Sequence, residues 1–132
     1  MMKRDISFNS TIENIGIAEK LVDEIAEKYS ISPDVYGNIM LSVVEAVSNA
    51  ISHGNKNDAN KLVQLSSDFK NDMLEFCISD QGEGFNYGEL PDPTSPQHIE
   101  EPYGRGIFLI SMLSDELSYY DNGSKVIIKF KI

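Results

Sequence analysis

The chain has 132 residues, 41% of them hydrophobic, and a formal net charge of -10. That length has room for one domain with its own core and little else, and that apolar fraction predicts a folded rather than a disordered chain. So acidic a surface repels phosphate backbones, which sets nucleic acid aside and favours a basic protein or a magnesium-neutralised ligand.

The single cysteine, Cys77, has no internal disulfide partner and reads as a small buried hydrophobe. The opening "MMKRDISFNS" lacks the apolar run of a secretory signal. No stretch approaches the roughly 18 apolar residues of a membrane span, so a cytoplasmic protein is expected, with no membrane partner.

In chain order, residues 4–9 read as a short strand. Ser10 followed by Glu13 has the form of a capping box, predicting a helix to about Tyr29 with Ile15, Ala18, Val22 and Ile25 on one face. Ser32-Pro33-Asp34 marks a second helix start: serine caps, proline needs no N–H in the first turn, and aspartate meets the positive end of the dipole. This helix is expected to reach His53 and stop at Gly54. Tyr36, Ile39, Met40, Val43, Val44, Val47, Ala50 and Ile51 form its core arc, and Glu45, Asn49, Ser52 and His53 its opposite side.

That polar side has two readings. It faces water, as an i,i+4 Glu–Asn pair on any helix does. Or something sits over it: a carboxylate beside an amide oxygen suits a hydrated magnesium ion, and a carboxylate also takes protons from nucleophiles.

"KLVQLSSDF" and "MLEFCISD" then read as strands around a hairpin turn at Lys70-Asn71-Asp72. "LSYYD" and "KVIIKFKI" flank Asn122-Gly123, a dipeptide suited to a type I′ turn. Val126, Ile128, Phe130 and Ile132 alternate with Lys125, Ile127, Lys129 and Lys131, as in a sheet covered on one side. Between the strand pairs, residues 82–106 hold four of the five prolines and five of the nine glycines. A loop of that length in a compact domain is functional or disordered. A short helix from about Arg105 to Leu113 follows. The order β-α-α-β-β-loop-α-β-β predicts an α+β domain with helices on one face of a sheet.

Two glycine motifs bracket the loop. Asp80-Gln81-Gly82-Glu83-Gly84 leaves a strand end, either as an ordinary turn or as an acceptor beside closely approaching backbone. Gly104-Arg105-Gly106 opens a helix, where free N–H groups favour phosphate. It is neither a dinucleotide fingerprint nor a Walker loop, since the third glycine and the Gly-Lys-Ser/Thr are both missing. A Glu-x-x-x-Asn helix, an Asp-x-Gly-x-Gly strand end, a long loop and a Gly-x-Gly helix entry, in that order, are far more specific together than singly.

In these residues the sequence resembles the GHKL ATPase superfamily with its Bergerat fold. Glu45 to Asn49 matches the N box, Asp80 to Gly84 the first glycine box, and Gly104 to Gly106 the second. The resemblance spans about residues 8–132. Length, with "EAVSNAISHGN" and "YGRGIFLISMLSDEL", narrows it to stand-alone bacterial anti-sigma-factor serine/threonine kinases. It implies a two-layer sandwich: a mostly antiparallel sheet, three helices on one face and a long ATP lid at about 85–103, all within a single domain, 1–132. It implies ATP and Mg2+ as cofactors, a sigma factor and an anti-anti-sigma protein as partners, and a homodimer with the N-terminal strand and first helix near its interface.

The resemblance also implies roles. Glu45 would be the general base, Asn49 the magnesium ligand and Asp80 the acceptor for the adenine amino group. Gly82 and Gly84 would pass close to the base. Gly104, Arg105 and Gly106 would cradle phosphates, Arg105 reaching the γ-phosphate, and His53 would lie near them. Two departures stand out. Leu109 occupies a position where longer members carry a further glycine, and Ser124-Lys125 stands where many relatives have paired threonines. A nucleotide-gated binding module without kinase activity is the rival expectation, and a structural domain with no nucleotide site the blandest.

Overall fold

Alternating apolar side chains build the sheet in the computed structural model, which describes residues 2–83 and 102–132. The elements are β1 (Met2–Asn9), a 3-10 turn (Ile12–Asn14), α1 (Ile15–Lys28), α2 (Pro33–Asn49) and a π-helical turn (Ala50–Gly54). β2 (Leu62–Lys70), β3 (Met73–Ser79), α3 (Pro102–Leu113), β4 (Glu116–Tyr120) and β5 (Lys125–Lys131) follow. The strands pair antiparallel throughout in the order β1-β2-β3-β5-β4. This is the expected α+β architecture, one open sheet with its helices on one face; the lid expected at 85–103 lies mostly outside the described residues.

Every second residue of the central strands points into the core: Leu74, Phe76 and Ile78 of β3, and Val126, Ile128 and Phe130 of β5. They meet Ala18, Leu21, Val22 and Ile25 of α1 and Ile39, Val43, Ala46 and Val47 of α2. Arg4 on β1 reaches Glu24 on α1 at 2.6 Å, and the Tyr36 hydroxyl donates to Asp23 at 2.5 Å, tying α2 to α1. On the other sheet face Asp68 stands opposite Glu75, and Lys129 stands opposite both Glu75 and Glu116. The lysine offsets a like-charge pairing that would otherwise weaken the ladder.

Local expectations fare unevenly. Ser32 caps α2, its Oγ accepting from the Val35 N–H at 3.5 Å, with Pro33 in the first turn. Ser10 caps nothing. Its hydroxyl is fully buried, donating to the Lys61 carbonyl at 2.7 Å and accepting from Asn55, and a 3-10 turn precedes α1 instead. The left-handed pair of a type I′ turn is Asn71-Asp72, with φ of 53° and 61°. Asn122-Gly123 belongs to a longer connection, because the register pairs Tyr120 with Lys125. Val44 is only half-buried, and Ile132 ends the chain 38% exposed.

Candidate nucleotide site

The polar side of α2 is not simply wet. Glu45 and Asn49 are half-buried beneath the start of α3. A methyl added to the buried Gly106 would lie 2.7 Å from Glu45 Oε1 and 3.1 Å from Asn49 Nδ2. Only a residue without a side chain lets the α3 backbone approach this pair so closely. α3 begins at Pro102, three residues before the expected Arg105, so Gly104, Arg105 and Gly106 all lie in its first turns. Proline suits such a start, and the free N–H groups of a helix entry follow it.

Beyond Asn49 the helix widens. The Asn55 N–H bonds to the Ala50 carbonyl at 2.8 Å, one residue farther back than in an α-helix. This π turn brings His53 and Gly54 to line a cleft with Asn49 and Ala50. His53 is exposed.

Across the cleft, Asp80 leaves β3. Its N–H is held by the Ser124 carbonyl at 2.9 Å, and its Oδ1 accepts from the Gly82 N–H at 2.8 Å. Gly54 and Gly82 are spaceless positions: a methyl on Gly54 would collide with the Asp80 carboxylate, and one on Gly82 with the Gly54 carbonyl. Burial raises the Asp80 pKa above the ordinary carboxylate value, opposed by the Gly82 N–H and by Lys61. The fold thus favours the protonated acid. Its stabilising contribution is complete below the ordinary carboxylate range and is lost as pH rises through the raised pKa, so at neutral pH the ionised group lowers stability.

Ile78, Ile110, Tyr119, Ser124 and Val126 complete a cleft of about 150 Å³. Burial pushes the Tyr119 phenol well above its ordinary pKa, which keeps it protonated.

The fold therefore gathers Asn49, His53 and Asp80 around one cleft, places Glu45 beside Asn49 under Gly106, and sets Gly82 against Gly54. Gly84 and the side chain of Arg105 lie outside what the structure describes. Sequence reasoning gave no role to Tyr119, Asn55 or Gln81. Tyr119 was findable, because it stands two residues from Leu117 and so shares its core-facing side of β4.

A model described as the histidine kinase-like ATPase domain matches residues 8–130. The chain belongs to this ATPase family. Within the family it is similar to the anti-sigma F factor of Clostridium perfringens, at 30% identity over 98% of this chain and 96% of the relative. It is also similar to the serine-protein kinase RsbW of Oceanobacillus iheyensis, at 28% identity over 80% of this chain and 70% of that protein. A crystal structure of the RsbU and RsbW domains of a Mycobacterium tuberculosis protein superposes with a TM-score of 0.67. That likeness, at 14% identity, covers 98% of this chain and 32% of the other, and it establishes the shared fold.

Proposed function

We propose that this ATPase-family domain is an ATP-dependent serine/threonine protein kinase that acts as an anti-sigma factor. It phosphorylates a small anti-anti-sigma protein and sequesters a sigma factor. The observation that carries the reading is the packing of Glu45 and Asn49 under Gly106, with Asn49 and Asp80 lining one cleft. Similarity to an anti-sigma F factor along nearly the whole chain supports it.

The residues have separate tasks. Asp80 accepts from the adenine amino group; guanine carries a carbonyl there and is refused. The Ile78, Ile110 and Val126 side chains supply an apolar slot for the base. The α3 N-terminus and Arg105 hold the phosphates, with His53 at the rim. Glu45 takes the proton from an incoming serine hydroxyl; the serine oxygen bonds the γ-phosphorus as the bond from that phosphorus to the bridging oxygen breaks, and ADP leaves with that oxygen. The hard amide oxygen of Asn49 fits a magnesium ion that keeps most of its waters, while no three His, Cys, Asp or Glu side chains converge among the described residues. When bound with ATP, magnesium neutralises phosphate charge, which a chain of net charge -10 otherwise repels. A homodimer in the cytoplasm completes the proposal.

Magnesium ATP at about a hundredfold its dissociation constant should stabilise the fold by about 2.7 kcal/mol, read as a rise in melting temperature. With the anti-anti-sigma protein added, phosphate should appear on that partner. No thermal shift at millimolar nucleotide would remove the nucleotide site altogether. A shift without transfer to any partner would leave a nucleotide-gated binding module.

Asp80→Asn carries the prediction that separates function from stability. Removing the half-buried charge should raise the melting temperature of the free protein. ATP affinity should fall by about tenfold or more: the Gly82 N–H holds the amide oxygen, so the NH2 group, a donor, replaces the free carboxylate oxygen facing the adenine amino group. A titration showing unchanged ATP affinity would take the adenine contact away from Asp80.

A further inference from the structure

Asn55 is fully buried, yet it belongs neither to the apolar core nor to the cleft wall. Its side-chain amide is committed at both ends. Nδ2 donates to Ser10 Oγ at 2.6 Å and to the Leu62 carbonyl at 3.0 Å, while Oδ1 accepts from the Gln81 N–H at 2.7 Å. The Gln81 contact fixes the amide's orientation, because a backbone N–H requires an acceptor.

Gln81 directly follows Asp80, and its side-chain Oε1 accepts from the Leu62 N–H at 2.6 Å. Three consecutive N–H groups are therefore held: Asp80 by Ser124, Gln81 by Asn55, and Gly82 by Asp80 itself. The first of these anchors to Ser124, the residue before β5, and the third is local. Of the three, the second ties the Asp80 turn to the cap of the π turn that continues the helix carrying Glu45 and Asn49. Asn55 also closes the π turn through its own N–H to Ala50, the turn that seats Gly54 against the Asp80 carboxylate.

We propose that Asn55 is a positioning residue for nucleotide selection: through the Gln81 N–H it fixes where the Asp80 carboxylate stands relative to the α2 side of the cleft. This deepens the proposed function and rests on the nucleotide site argued there. Asn55 touches no ligand. It acts by aiming Asp80, so its loss blurs the choice of base more than the chemical step.

The test compares Asn55→Ala with Asn55→Asp, titrating magnesium ATP and magnesium GTP calorimetrically at a temperature where each variant is folded. Alanine removes the acceptor for Gln81. ATP affinity should fall about tenfold with GTP affinity little changed. Aspartate keeps that acceptor and loses the donors to Ser10 and Leu62. It should melt lower than wild type and still keep the ATP-to-GTP ratio within about twofold of it. An unaltered ratio in Asn55→Ala overturns the inference, as does a ratio lost in both variants in step with their melting temperatures. If the alanine variant does not fold, the aspartate variant decides alone: a retained ratio supports the inference and a collapsed one overturns it. Wild-type protein that fails to bind ATP would remove the nucleotide site itself, whereas normal wild-type binding with an intact Asn55→Ala ratio removes only the role of Asn55.

Discussion

Glu45→Gln should lower phosphate transfer to the acceptor serine by about a hundredfold to ten-thousandfold, the range that a positioned general base contributes. ATP binding should be almost unaffected. The substitution keeps the side chain's size and one oxygen, so contact with Gly106 on α3 is preserved. What disappears is the basic oxygen that receives the hydroxyl proton. Single-turnover transfer in the presence of magnesium ATP reads the first effect, and a nucleotide titration reads the second. Transfer at the wild-type rate would remove Glu45 as base. A parallel loss of ATP affinity would instead make it part of the binding machinery, with Asn49 beside it.

The polar row on α2 shows how far the sequence reaches. Glu45 and Asn49 were legible as candidates because helical spacing puts them on one side, and two glycine motifs downstream supplied a reason for a ligand to cover that side. The fold order was legible for a related reason: inward positions on β3 and β5 alternate with a strict period of two. Tertiary partners decided the rest. Ser10 and Glu13 fit a capping box by spacing, but the Ser10 hydroxyl is drawn into the buried network with Lys61 and Asn55, residues far along the chain. Helical periodicity carries no mark of a π turn, so Gly54 read as a plain helix stop; its approach to Asp80 depends on where β3 ends. Asn122-Gly123 looked like the tighter turn, yet the Tyr120–Lys125 pairing leaves a four-residue connection that two left-handed residues cannot span. Asn55 stood in plain view after His53-Gly54. Its role comes from the strand end that its amide meets in space, which spacing alone does not reveal.

Phe76→Ala should destabilise the fold by about 3–5 kcal/mol, a large share of the roughly 5–15 kcal/mol that holds a domain together. Phe76 lies mid-way along β3, the central strand, with no exposed surface. It stands opposite Ser67 on β2 and Ile128 on β5, and its ring meets Phe130 edge-on, with centroids 6.2 Å apart and an interplanar angle of 78°. Truncation removes that aromatic pair and leaves a cavity that β3, bonded on both sides, has little freedom to close. Urea unfolding should show the midpoint falling with little change in slope. The variant also connects the core to the site. Phe76 is four residues before Asp80, which follows the end of β3, but lines no part of the cleft, so the folded fraction should bind magnesium ATP with near wild-type affinity. Saturating nucleotide should then return part of the lost stability, about 2.7 kcal/mol at a hundredfold its dissociation constant. A variant that folds but gains nothing from ATP would mean that the core residue shapes the cleft as well as supporting it.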